Sequence, residues 1–265
     1  AAAAAALASP AGALMVGEPP DSPRARLDAN RADSPWSGVA SLFIGGSVSS
    51  AVLIAPRFAL TAAHVLRDGA DITLNLNVDG DLSHQIPVRR AQRHPAFRGF
   101  SVPPPVYDLA LLELTEPAPI AARRYPLSLR PPAAGDQLDV AGYGASGRGS
   151  QGVEVGANAA LKRRGRIRVQ RLEEQSVSRL PLLYFFDYSP SSVTPPTGLA
   201  PGDSGSGAFR GERGGPVLVG INTITQRPAT LQGPAFGYGT VGGGQVLAAQ
   251  ADWLRNAADG AVWLA

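Results

Sequence analysis

Hydrophobic positions along this chain fall into short runs, each cut off by turn residues. Val39–Ile44 is one such run; residues 51–54, 58–60 and 109–114 are others, bounded by Gly, Ser or Pro. Runs of this length with these boundaries read as strands. Residues 71–78 alternate strictly. Ile72, Leu74, Leu76 and Val78 share one face, and Thr73, Asn75 and Asn77 the other. A period of two predicts a half-buried strand. Further short runs follow at 137–143, 165–169, 182–186 and 217–224. Only the end of the chain has helical spacing: Val246, Leu247, Gln250, Ala251, Trp253 and Leu254 recur every three to four residues, after Gly242, Gly243 and Gly244. Prolines at 103–105 and 131–132 punctuate the chain, and the second pair reads as a lobe boundary. The pattern predicts an all-β protein of two antiparallel lobes with a C-terminal helix. In the basic run 162–171, Arg166 and Arg168 alternate with Ile167 and Val169, which reads as a strand with a solvated face; a polyanion or partner patch is the competing reading.

Composition narrows the chemistry. There are 31 glycines and 24 prolines among 265 residues, which suits frequent turns. Cysteine is absent, so disulfides, zinc ribbons, iron–sulfur centres and thiol nucleophiles are excluded. Lys162 is the single lysine and is followed by Arg163, so no phosphate-binding GK[ST] loop exists. The three histidines form no H-E-x-x-H. Two G-x-G-x-x-G matches, from Gly142 and from Gly237, sit in no βαβ unit, which removes the dinucleotide reading. The net charge of +3 is modest for this size. No metal, cofactor, nucleic acid or membrane is expected. Residues 1–14 are Ala-rich and uncharged and read as a signal-peptide remnant or short propeptide, with small-x-small sites at Ala6-Leu7-Ala8 and Ala11-Gly12-Ala13. A secreted or periplasmic protein follows from that reading.

Three segments carry chemistry together. Thr61-Ala62-Ala63-His64 ends an apolar strand, Tyr107-Asp108 opens another, and Gly202-Asp203-Ser204-Gly205 is a glycine-flanked serine. A serine hydroxyl is a weak nucleophile until a base takes its proton. Imidazole, with a free pKa near ~6.5, accepts and returns protons at neutral pH. A buried carboxylate fixes the imidazole tautomer and stabilises the imidazolium. Glycines around the serine allow the sharp turn that aims backbone N–H groups at an oxyanion. His64, Asp108 and Ser204 follow one another at separations of 44 and 96 positions.

These motifs, their order and their spacing resemble the chymotrypsin/trypsin family of serine proteases. Pro35-Trp36 before the first strand, Arg93-His94-Pro95-Ala96-Phe97, Ala141-Gly142-Tyr143-Gly144 and Leu218-Val219-Gly220-Ile221 agree with it. The resemblance covers residues 15–254. It implies two six-stranded antiparallel Greek-key barrels packed face to face, about 15–130 and 131–245, then a helix at about 245–257 and a tail at 258–265. It implies Ser204 as nucleophile, His64 as general base and acid, and Asp108 as orienter, with the Gly202 and Ser204 N–H groups as oxyanion hole. His94 becomes a turn residue. Met15-Val16-Gly17 resembles a mature start freed by activation, with the Met15 amino group pairing with Asp203.

The departures are informative. The family's common disulfides are absent, as in many bacterial-type members, and Val65 follows His64 where Cys is typical. Ser206 and Gly207 replace the usual Gly-Pro. Gly198, six residues before the nucleophile, stands at the expected pocket floor, so the resemblance argues against Arg or Lys at P1, the substrate residue before the scissile bond. Thr223 stands where a serine is usual, and the β-branched Thr225 would narrow the pocket mouth, which favours small or medium apolar residues; an acid such as Asp187 reaching in would change that. The reading is a monomeric serine endopeptidase acting on proteins or peptides, with an activating protease or protein inhibitor as further partners. A catalytically silent binding module of the same fold is the alternative. A serine esterase fits less well, because G-x-S-x-G fails at Ser206.

Overall fold

The computed structural model describes residues 14–100, 105–174, 180–191 and 195–265. The small-x-small sites lie outside the described residues. Six strands build the first lobe: β1 Val39–Ile44, β2 Ser47–Ala55, β3 Phe58–Thr61, β4 Ile72–Leu76, β5 His84–Arg93 and β6 Ala110–Leu114. They close into a barrel in the order β1-β2-β3-β6-β5-β4. Gly45 and Gly46, both at positive φ, turn β1 into β2. Leu42, Ile44, Leu53, Leu74, Leu76, Ile86, Leu112 and Leu114 fill its interior.

The second lobe holds β7 Gln137–Gly142, the small hairpin β8 Ser146–Arg148 and β9 Gly152–Val155, then β10 Arg163–Arg168, β11 Arg171–Glu173, β12 Leu183–Asp187, β13 Gly207–Glu212, β14 Gly215–Gln226 and β15 Val241–Val246. Its sheet is seven-stranded, ordered β10-β7-β13-β14-β15-β12-β11. The two edge strands are consecutive in the chain. Between them the Val169 N–H donates to Asp136 O on one side and the Gln170 N–H to Phe185 O on the other. One bent strand therefore serves both edges, and the sheet curls into the expected six-stranded barrel.

The C-terminal end differs from the periodicity. Residues 242–246, expected to lead into or begin the helix, belong to β15; a 3₁₀ turn spans Leu247–Gln250, and α1 covers only Ala251–Ala257. The glycines explain this. A Cβ on Gly242 would lie 2.3 Å from the Phe186 ring, and one on Gly244 2.1 Å from Ile221 O. Bare backbone lets β15 pass between β12 and β14. The tail is also docked, with Leu127 N–H donating to Trp263 O and Ala265 N–H to Leu127 O. No helix among the described residues is long and apolar enough to cross a membrane.

The basic run is not a uniform solvated face. Arg166 is exposed and Ile167 and Val169 are buried, as the alternation predicts, but Lys162 is fully buried. Its ammonium donates to Trp36 O at 2.7 Å and lies 3.2 Å from Asp28 Oδ2. Burial holds it below the usual lysine range, with Asp28 opposing that shift. The pair ties the segment before β1 to the second lobe. Removing one partner of a buried pair leaves an uncompensated charge, so Lys162→Met should lower the unfolding free energy by about 3–5 kcal/mol in urea titrations. A loss under about 1 kcal/mol would show that the pair does not carry a buried charge.

Candidate active site

The site lies where the two barrels meet. His64 sits in a 3₁₀ turn, Ala63–Val65, directly after β3. Asp108 is fully buried at the entry to β6. One carboxylate oxygen, Oδ1, accepts the His64 backbone N–H at 2.9 Å; the other, Oδ2, lies 2.7 Å from His64 Nδ1. An ionised carboxylate only accepts, so Nδ1 carries the ring proton and Nε2 is left as the acceptor. Nε2 faces Ser204 Oγ at 2.9 Å. The three residues picked out in the sequence are thus brought into one hydrogen-bonded chain.

Tyr107, just before Asp108, has a positive φ of 63°, an uncommon conformation for a bulky residue. Its ring stacks on His94 at 4.8 Å, and His94 in turn meets the edge of Trp253 on α1 at 4.6 Å. Burial pushes the His94 imidazole down to about 4. At neutral pH it is an uncharged platform, and its Nδ1 accepts the Ala96 N–H.

The nucleophile loop turns on Gly202 and Gly205, both at positive φ. Pro201 O accepts the Ala145 N–H at 2.6 Å, and Asp203 O accepts the Ser206 N–H at 2.9 Å. In a planar trans peptide the N–H points opposite to the C=O. These two anchors therefore turn the Gly202 and Ser204 N–H groups outward. Among the described residues neither has a hydrogen-bond partner, so both are free to donate to an oxyanion.

Asp203 is buried beneath this loop and accepts N–H bonds from Gly144 and Ala200, each at 3.0 Å, and from Leu14 at 3.3 Å. Met15 does not reach it. Its N–H donates to Gly198 O and its carbonyl accepts the Gly198 N–H. The antiparallel bridge between Met15 and Gly198 fixes a register one residue away from the motif alignment and puts Leu14 at the carboxylate. Burial pushes the Asp203 carboxyl up to about 7, against the three N–H bonds and Arg163.

A cavity of about 160 Å³ opens beside Ser204, lined among others by Leu199, Pro201, Thr223, Thr225 and Phe236. Gly198, expected at the pocket floor, is not among the lining residues, and the Tyr188 ring stands where its Cβ would be. Asp187 is exposed at the end of β12 and does not line the cavity. Thr223 Oγ1 accepts from Gln245 Nε2, which also donates to Pro105 O beside the Asp108 segment. The sequence did not point to Phe236, to Leu14, or to Phe100, whose ring lies 5.1 Å from that of His64. Only a contact across the fold reveals them. Among the described residues no group of three or more His, Cys, Asp or Glu side chains is placed to hold a metal ion.

The family model for trypsin matches residues 26–238. The chain belongs to the trypsin family. No curated protein matches it in sequence. Among solved structures it is similar to neuropsin, a serine protease expressed in the limbic system of mouse brain. The TM-score is 0.64 at 17% identity, covering 86% of this chain and 96% of that one. At that identity the likeness speaks for the fold of this trypsin-family chain.

The Asp203 carboxyl gives a pH test. Its folded pKa lies above the unfolded value near 3.8. Between these values the folded state holds more protons than the unfolded state, so this group's contribution to stability falls as pH rises from about 4 to 7 and then levels off. The melting temperature of the wild type minus that of Asp203→Asn should fall over that window. A difference that is flat from pH 4 to 8 would contradict the buried, proton-holding carboxyl.

Proposed function

We propose that this trypsin-family chain is a serine endopeptidase that works through an acyl-enzyme. The observation that carries the reading is the unbroken chain Ser204 Oγ, His64 Nε2, His64 Nδ1, Asp108 Oδ2, with spacings of 2.9 and 2.7 Å. Ser204 Oγ attacks the substrate carbonyl carbon as its proton passes to Nε2. The charge on the carbonyl oxygen is taken up by the Gly202 and Ser204 N–H groups, whose orientation exists before substrate arrives. Asp108 stabilises the imidazolium without taking its proton. His64 then protonates the leaving amine, and a water activated by the same nitrogen releases the acyl group.

The cavity supports an uncharged P1 residue. A volume of about 160 Å³ is close to that of a cavity that admits benzene, about 150 Å³. Among the described residues the one acid in its lining, Asp203, has its carboxyl committed to the N–H groups of Gly144, Ala200 and Leu14. Apolar side chains up to about the size of a phenyl ring fit this volume, with Thr225 at the mouth favouring the smaller ones, and Arg or Lys would be buried without a counter-charge.

For activation, the register supports Leu14 rather than Met15 as the working amino terminus. Cleavage after Ala13 would place an ammonium where the Leu14 N–H now meets Asp203. Ala11-Gly12-Ala13 offers small residues for such a cut, and export of the chain is proposed on the same segment.

A serine-directed fluorophosphonate tests the central claim by intact mass. One adduct is expected on the wild type and none on Ser204→Ala or His64→Ala, with peptide turnover reduced at least about 10³-fold in both. A chain beginning at Leu14 should label faster than one carrying residues 1–13. Absence of an adduct on both forms would overturn the enzyme reading. P1 profiling should favour Ala, Val and Leu over Arg and Lys, and Thr225→Gly should raise kcat/KM for Phe relative to Ala. A wild-type preference for Arg would refute the pocket assignment.

A further inference from the structure

Ser50, in β2 of the first barrel, is fully buried against the nucleophile loop of the second. Its backbone N–H donates to Ser204 O at 3.0 Å. Its hydroxyl donates to Gly202 O at 2.9 Å and accepts the Tyr143 N–H, also at 2.9 Å. The hydroxyl is thus fixed from both sides. The next N–H along, from Gly144, donates to Asp203 Oδ1. Thr61 Oγ1, three residues before His64, donates to Ser50 O. A single residue therefore touches the loop on both sides of Asp203 and the strand that delivers the base.

The loop is a chain of four peptide units, and each has its own anchor. Ala145 N–H holds the 201–202 unit and Ser206 N–H the 203–204 unit. The 204–205 unit is held by Ser50 N–H and by the bond from Gly205 N–H to Asn222 O. The 202–203 unit lies between the two that carry the oxyanion donors. Its carbonyl is held by the Ser50 hydroxyl, while its N–H bonds to Ala200 O. Gly202, at φ +95, has no side chain to resist rotation. Without the hydroxyl, one carbonyl and the Tyr143 N–H lose buried partners, and the unit joining the two donors loses its hold across the barrel seam.

We propose that Ser50 is a positioning residue for the oxyanion hole, an assignment that rests on the endopeptidase reading above. The hydroxyl acts on the donors through the backbone and does not touch substrate. Groups supporting a site must hold it within about 0.5 Å of productive geometry. Deleting an oxyanion donor outright costs about 10²–10³ in kcat, so loss of its anchor should cost less.

The experiment compares wild type, Ser50→Ala and Ser50→Gly on one peptide p-nitroanilide, together with inhibition by the matching peptide boronate and the melting temperature. The boronate forms a tetrahedral adduct with an oxygen in the hole. In both variants kcat should fall about 10- to 50-fold, with KM within twofold, and boronate affinity should weaken in parallel. A purely structural role would lower the melting temperature and leave kcat and boronate affinity unchanged. Folded variants with kcat within twofold of wild type would overturn the proposal. Two variants that fail to fold would also overturn it, because the hydroxyl would then serve the fold rather than the hole. Failure of the endopeptidase reading itself is distinct: the wild type would neither take the fluorophosphonate nor turn over the peptide.

Discussion

The bond from Ser204 Oγ to His64 Nε2 crosses from one barrel to the other, and everything the site can do depends on that seam holding still. His64 and Asp108 stand on the first barrel and Ser204 on the second. No cysteine exists to tie them covalently. Packing supplies the adhesion. Trp36, Val52, Leu60 and Tyr125 on one side meet Ala141, Tyr143, Phe209 and Leu218 on the other, with Leu254 of α1 in the same cluster. The Phe209 ring lies 5.0 Å from Trp36 and 4.7 Å from Tyr125. A misplacement of about 1 Å can cost ~10²-fold in rate, so adhesion alone is not enough.

Hydrophobic contact is non-directional and tolerates sliding. Hydrogen bonds do not, and the seam contains several buried ones. Asn77 Nδ2 donates to Tyr143 Oη and to Ala159 O, and Ser41 Oγ donates to the same Ala159 O. Lys162 reaches Trp36 O, and Ser50 reaches Gly202 O. These residues share a logic visible in β4. Its Leu74 and Leu76 fill the first barrel, while Asn75 and, just beyond the strand, Asn77 are buried on the other face, Asn77 against the second lobe. Thr73 stays partly exposed, as a half-buried strand predicts, but from Leu74 to Val78 both faces are buried, and Asn77 fixes where one barrel sits on the other.

This division separates what was legible in the sequence from what was not. Strands were legible because apolar runs and turn residues are local. His64, Asp108 and Ser204 were legible as candidates because each lies in a short motif at a strand end, and order and spacing linked them. Contacts across the fold were not. Ser50 lies among ordinary strand residues, and Lys162 heads a basic run that resembles a solvated face. Phe236 and Phe100 reach the site from loops whose path no periodicity gives. The helix was placed too early because apolar spacing at 246–254 hides a strand that ends at Val246. The register at Leu14 follows from the pairing of Met15 with Gly198, which lies 183 positions further on and has no local signature.

Leu14 also shows two costs falling on one atom. Its φ is +62°, a conformation in which an L-residue with a branched side chain is crowded by the preceding carbonyl. Its N–H is a neutral dipole offered to a buried carboxylate whose proton affinity is already raised. Ala200 and Gly144 supply dipoles as well, and among the described residues no ammonium contacts the carboxyl. An amino terminus at this nitrogen would remove both costs together. With no preceding carbonyl, the φ restriction vanishes, and the charged amine would lower the carboxyl's pKa. The Gly202–Ser204 loop would then be held on opposite sides by two independent means: Ser50 from the neighbouring barrel and an ion pair from beneath. The first is present with residues before Leu14 attached, and the second needs a freed amine at Leu14. With residues before Leu14 attached, the Ser50 hydroxyl already holds the Gly202 carbonyl, while the Asp203 carboxyl has only N–H dipoles and the field of Arg163 to offset its burial.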